Sequence, residues 1–107
     1  MGDDHRQGFK KVEEWIKSGV TLVGFDSPSC DPCRDQKPII ETLARRFKGE
    51  ARIIELNIDD HRQSAIQLGI TSIPTLIIFK NGRELQRFVG LQPAEALSTA
   101  IVDALGK

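Results

Sequence analysis

Net charge, long apolar runs and cysteine are all scarce in this chain of 107 residues, and each scarcity excludes something. Fifteen basic residues offset fifteen acidic ones, which leaves no electrostatic case for nucleic acid or an anionic membrane as the main partner. Apolar runs last only a few residues, far short of the roughly 20 that a membrane helix needs. The opening stretch "MGDDHRQGFKKVEEW" has no apolar signal region, which predicts a cytoplasmic protein. Two cysteines are too few for a disulfide framework. With 39% hydrophobic and 28% charged residues the chain can bury one core. Its length predicts a single domain over residues 1–107, with residues 1–4 too polar to pack and therefore frayed. A chain of this size and composition is expected to be a monomer.

What is present reads as alternating helices and strands. Phe9, Val12, Trp15 and Ile16 recur at helical spacing from about Arg6 to Ser18, and Gly19 ends that helix. Val20 to Phe25 is an almost unbroken apolar run, the mark of a strand covered on both faces. Ile40, Leu43, Ala44 and Phe47 lie on one face of a helix that Pro38 should kink. Ala51 to Ile58 is β-branched and apolar and predicts a second buried strand, with Glu55 inside it. "DDHRQSAIQLG" predicts a short helix capped by Asp59 or Asp60 and stopped by Gly69. "PTLIIFKNGRELQRFVG" reads as a hairpin around Asn81-Gly82. Pro93 opens a last helix striped by Ala94, Leu97, Ile101, Val102 and Leu105. Two strands joined by a helix should be parallel, and a hairpin adds antiparallel ones. The expectation is an α/β fold: a mixed four-stranded sheet with helices on both faces.

Both cysteines fall in one stretch, "SPSCDPCR", Ser27 to Arg34. Cys30 follows a strand and opens a helix. There the unpaired N–H groups and the helix dipole favour negative charge, which lowers a thiol pKa. Pro32 suits the first helical turn, because its missing N–H would have no partner there anyway. Cys33 lies one turn on, where the two sulfurs can bond. Cys30 is thus expected to be exposed and nucleophilic, and Cys33 more buried. A zinc site would need two more ligands, and the spacings of His5 and His61 match no common zinc pattern. A pair of inert buried thiols fits poorly with a polar, proline-containing loop. A metal or cluster carrier is the remaining alternative.

"SCDPCRDQKP", "NIDD", "SIPTLIIFKNG" and the Val89-Gly90 pair resemble the thioredoxin family in order and spacing, from about Phe9 to Leu105. The resemblance implies the thioredoxin fold and a thiol–disulfide oxidoreductase that reduces protein disulfides. It implies a reductase as electron donor and no cofactor beyond a Cys30–Cys33 disulfide. It makes Cys30 the nucleophile and Cys33 the resolving thiol. It also implies a cis bond at Ile73–Pro74, where the residues alone equally allow a trans proline starting an edge strand. A substrate groove would then run past Ser29, Asp31, Pro32, Ser72, Ile73, Pro74, Gly90 and Leu91.

Several positions depart from the family pattern. Ser29 and Asp26 stand where it has tryptophans, and Asp31 where it has glycine. Gly24 replaces a buried aspartate, and Glu55 replaces the lysine that pairs with it. The family's first strand is expected to be short or missing. A groove this polar predicts partners with basic or polar residues near their disulfide, unless the acidic residues form only a solvated face. The alternative function is a redox-gated adaptor of the same fold that binds one partner with little general turnover. Glu55 would lean into the space left by Gly24 and take the Cys33 proton as a general base. The competing reading points it to solvent at a strand end.

Overall fold

The computed structural model describes residues 12–106. The expectations for residues 1–4, Phe9 and the first turns of the first helix lie outside them, as does any strand before residue 12. Seven elements follow the helical residues 12–16, here α1: β1 (Val20–Asp26), α2 (Asp31–Arg46), β2 (Ala51–Asn57), α3 (Arg62–Gln67), β3 (Thr75–Lys80), β4 (Arg83–Val89) and α4 (Ala94–Leu105). The strands form one sheet in the order β2-β1-β3-β4. β1 pairs parallel with β2 and antiparallel with β3, and β3 pairs antiparallel with β4.

The period-2 alternation of β1 and β3 explains two cores, one on each face. Leu22, Leu76 and Ile78 meet Ile40 and Leu43 of α2 and Leu97 and Ile101 of α4 on one side. Val23, Phe25, Ile77 and Phe79 meet Val12 and Ile16 of α1 on the other. The hairpin turn uses Asn81 and Gly82 at φ 52° and 84°, the paired positive values that a two-residue turn between twisted strands favours. Asn81 Oδ1 also accepts from the Gly19 N–H at 2.8 Å, which ties the α1–β1 junction to that turn.

Three expectations need correction. β2 is not fully buried: among the described residues it pairs only with β1, so it is an outer strand, largely half-buried, with Arg52 exposed, although Ile53 packs on one core and Leu56 lies in the other. α3 is not capped by Asp59 or Asp60; its N-cap is His61, without a side-chain cap bond. Asn57 shapes the preceding turn instead, its Oδ1 accepting from the Asp59 N–H at 2.8 Å. In α4, Ala94 is exposed and Val102 and Leu105 only half-buried, while Ser98, Ala100 and Ala104 join Leu97 and Ile101 inside. Ser98 can be buried because its hydroxyl donates to the Glu95 carbonyl.

The pairing registers decide where chemistry can gather. Asp26 sits beside Asn57, Phe25 beside Thr75, and Thr75 beside Val89. The cysteine loop after β1, the Ile73–Pro74 segment before β3 and Gly90 after β4 therefore all leave the same end of the sheet.

Candidate active site

Cys30 is the N-cap residue of α2, with extended backbone and its Sγ accepting from the Cys33 N–H at 3.2 Å. The turn before it is closed by the Cys30 N–H on the Ser27 carbonyl at 3.2 Å, and Ser29 N–H donates to Ser27 Oγ at 3.3 Å. Cys30 and Cys33 form a disulfide with their Cα atoms 5.3 Å apart. Cys33 is 5% exposed. Cys30 is half-buried rather than exposed, because its sulfur is folded back over the first helical turn. Ser29, Asp31 and Pro32 are exposed around it, and Asp31 pairs at 3.6 Å with Arg34. α2 continues as one helix through Pro38.

The Ile73–Pro74 peptide is cis. Pro74 is buried, Ile73 half-buried and Ser72 exposed, its carbonyl accepting from Thr75 Oγ1 at 2.6 Å. Gly90, at φ 95°, donates its N–H to the Pro74 carbonyl at 2.8 Å. Leu91 beside it is 46% exposed, an uncovered apolar side chain on this rim.

Behind the disulfide a separate pocket is lined by Asp26, Cys33, Arg34, Lys37, Glu55 and Asn57, together with Ser27 and Pro28. Glu55 lies opposite Gly24 across the parallel pair. It does not lean into a gap at Gly24: a Cβ there would stand 3.1 Å from Ile40 Cδ1, so Ile40 already fills that space. Glu55 faces Asp26 and Lys37 instead, with Lys37 Nζ 3.9 Å from its Oε2. Burial raises the pKa of both carboxyls above the ordinary range, and Lys37 opposes this at each. Asp26 raises Glu55 further, through its charge and a side-chain hydrogen bond, whereas the bond from Glu55 lowers Asp26.

Ser72, Ile73, Pro74, Gly90 and Leu91 do not reach this pocket. Three residues escaped the sequence reading. Asp26 counted as a lost tryptophan and as one of the acidic residues near Cys30, not as a proton acceptor, although a carboxylate ending a buried strand beside a thiol is itself a signal. Lys37 restores on the helix the cation missing from the strand. Gln36 is 1% exposed on the buried stripe Cys33, Gln36, Ile40, Leu43. Stepping that stripe back from Leu43 by three and four residues would have found it.

The sequence model of the family described as Thioredoxin matches residues 5–103. This chain belongs to the thioredoxin family. It is 42% identical over 86 residues to the thioredoxin of Staphylococcus saprophyticus, covering 80% of this chain and 83% of that protein. Thioredoxin of Staphylococcus aureus is 40% identical with the same coverage. Among solved structures, a mutant thioredoxin from Halobacterium salinarum superposes with a TM-score of 0.82 at 28% identity, covering 90% of this chain and 84% of that one. The thioredoxin of Fasciola hepatica gives 0.78 at 27% identity, covering 89% of each chain. With a Cys30–Cys33 disulfide on this fold, the protein is a thiol–disulfide oxidoreductase acting on protein disulfides. The adaptor alternative finds no support in these comparisons. No helix among the described residues is long and apolar enough to cross a membrane.

Proposed function

We propose that Cys30 is the nucleophile and Cys33 the resolving thiol of a protein disulfide reductase. The observation that carries this is the asymmetry of the pair: Cys30 caps the helix within reach of solvent, while Cys33 is buried behind it. Cys30 thiolate attacks one sulfur of a substrate disulfide, forming a mixed disulfide and releasing the other sulfur as a thiolate, which takes a proton. Cys33 then loses its proton, and its thiolate attacks Cys30 Sγ. This closes Cys30–Cys33 and releases the second substrate thiol. Two electrons pass to the substrate, and a reductase-like dithiol donor restores the pair by the reverse exchange. The Cys33 N–H aimed at Cys30 Sγ favours the thiolate of Cys30.

The Cys33 proton goes to the Asp26–Glu55 pair, which shares its pocket. Glu55 alone, as read from the sequence, is half of this relay. Ser29, Asp31, Pro32, Ser72, Ile73, Pro74, Gly90 and Leu91 bound the groove in which an extended substrate strand lies. The polar Ser29, Asp31 and Ser72 among them select substrates with basic or polar residues beside the disulfide. The protein works as a cytoplasmic monomer, one domain over residues 1–107, with no cofactor beyond its own disulfide.

The test is Cys33→Ser in the presence of an insulin disulfide. A stable mixed disulfide on Cys30 is expected, with no release of free insulin chains. Faster accumulation on Cys33 in Cys30→Ser than on Cys30 in Cys33→Ser would reverse the roles.

A further inference from the structure

A buried polar side chain interrupts the core stripe of α2. Gln36 lies one turn beyond Cys33, where Ile40 and Leu43 continue the stripe with apolar groups, and it is 1% exposed. Burying an amide costs free energy unless its groups are bonded. Gln36 meets that requirement at one residue: Nε2 donates to the Gln92 carbonyl at 3.0 Å, and Oε1 accepts from the Gln92 N–H at 2.7 Å. The side chain copies the double bond of a paired β residue and holds a loop 56 positions away.

The contacts continue toward the cis-proline. Gln92 Nε2 donates to the Gly90 carbonyl at 3.3 Å, and the Gly90 N–H donates to the Pro74 carbonyl at 2.8 Å. One chain of hydrogen bonds thus runs from the redox helix to Gln92, Gly90 and Pro74. Between Gly90 and Gln92 it presents Leu91, exposed on the rim.

We infer that Gln36 is a positioning residue for substrate: it docks the 90–92 loop on α2 so that an extended polypeptide disulfide, rather than a small one, meets a preformed groove. This rests on the groove reading given above. A small disulfide needs only Cys30. A polypeptide also needs Leu91 and the Gly90 backbone held in place, and a loose loop would have to be ordered at each binding event. Leucine at position 36 keeps the volume and removes both bonds. Glutamate keeps the shape, with the amide nitrogen replaced by oxygen. Protonated, it can donate to the Gln92 carbonyl and accept from the Gln92 N–H; ionised, it loses the donor and sets an anion against that carbonyl.

The experiment compares an extended peptide dimer joined by one disulfide with hydroxyethyl disulfide, for the native protein, Gln36→Leu, Gln36→Glu and Leu91→Ala. Gln36→Leu should raise the peptide KM by roughly three- to tenfold more than any change in hydroxyethyl disulfide turnover. Gln36→Glu should approach the native peptide KM at acid pH and lose it as pH rises, each value normalised to hydroxyethyl disulfide. Equal effects on both substrates would overturn the inference, as would a Gln36→Glu defect that ignores pH. An unchanged peptide KM in Gln36→Leu, with a raised one in Leu91→Ala, would overturn it while leaving the groove standing. No effect in Leu91→Ala would remove the groove reading and the inference together.

Discussion

At the scale of single residues, the carboxyl pair and Asp31 make the sharpest expectations. Asp26 and Glu55 both have pKa values raised by burial above their ordinary 3.8 and 4.5. The folded state then holds protons that the unfolded chain releases. Stability is full below the ordinary values and falls as pH climbs through the raised ones. Asp26→Asn removes one of the titrating groups, so the fall between acid and neutral pH should flatten, as read from urea midpoints measured across pH. An equally steep fall in the variant would show that the pair is not its source. Asp31 places a negative charge next to the helix start, where it opposes a thiolate, but it is exposed and partly offset by Arg34. Asp31→Gly should move the alkylation profile of Cys30 modestly toward lower pH, and a shift to higher pH would contradict this electrostatic account.

At the scale of elements, the hairpin and the helix ends show which local choices matter. Gly82 sits at φ 84°, and a Cβ there would meet nothing closer than Lys17 Cα at 3.9 Å. The cost of Gly82→Ala is therefore conformational rather than steric, about 1–2 kcal/mol, measurable by chemical denaturation with the hairpin register kept. Asn81→Ala adds the loss of the bond to the Gly19 N–H and should cost at least as much. On the partner strand, Leu85 is the extra residue where the register shifts between Ile78 and Phe79, and it is 53% exposed. Leu85→Thr should change stability by no more than about 0.5 kcal/mol.

For the whole molecule, the sheet with a core on each face is the frame that brings three distant segments to one end. Ile101 of α4 is fully buried against the face that α2 also covers. Ile101→Ala should cost about 2–5 kcal/mol of global stability. It should nevertheless leave the alkylation rate of Cys30 unchanged in protein that remains folded. Altered reactivity in the folded fraction would mean that the core tunes the site as well as supporting it.

The sequence alone determined what depends on near neighbours. The Asn81-Gly82 turn, the Cys30–Cys33 spacing at a helix start and the apolar run of β1 each carry a local cause: positive φ, one helical turn, burial on both faces. So the element order, the sheet and the dithiol site could all be read from it. The tertiary structure decided what depends on partners far along the chain. Glu55 does stand opposite Gly24, but its side chain was expected to fill the space there, which Ile40, on another element, already occupies, and the carboxyl turns to Asp26 and Lys37. β2 carried the composition of an interior strand, but strand order leaves it with a single partner among the described residues. Gln36 reads as one more polar helix residue until the 92 backbone arrives to satisfy it. Periodicity tells which face of an element is buried; it cannot tell what stands opposite, and a buried polar group takes its meaning from what stands opposite.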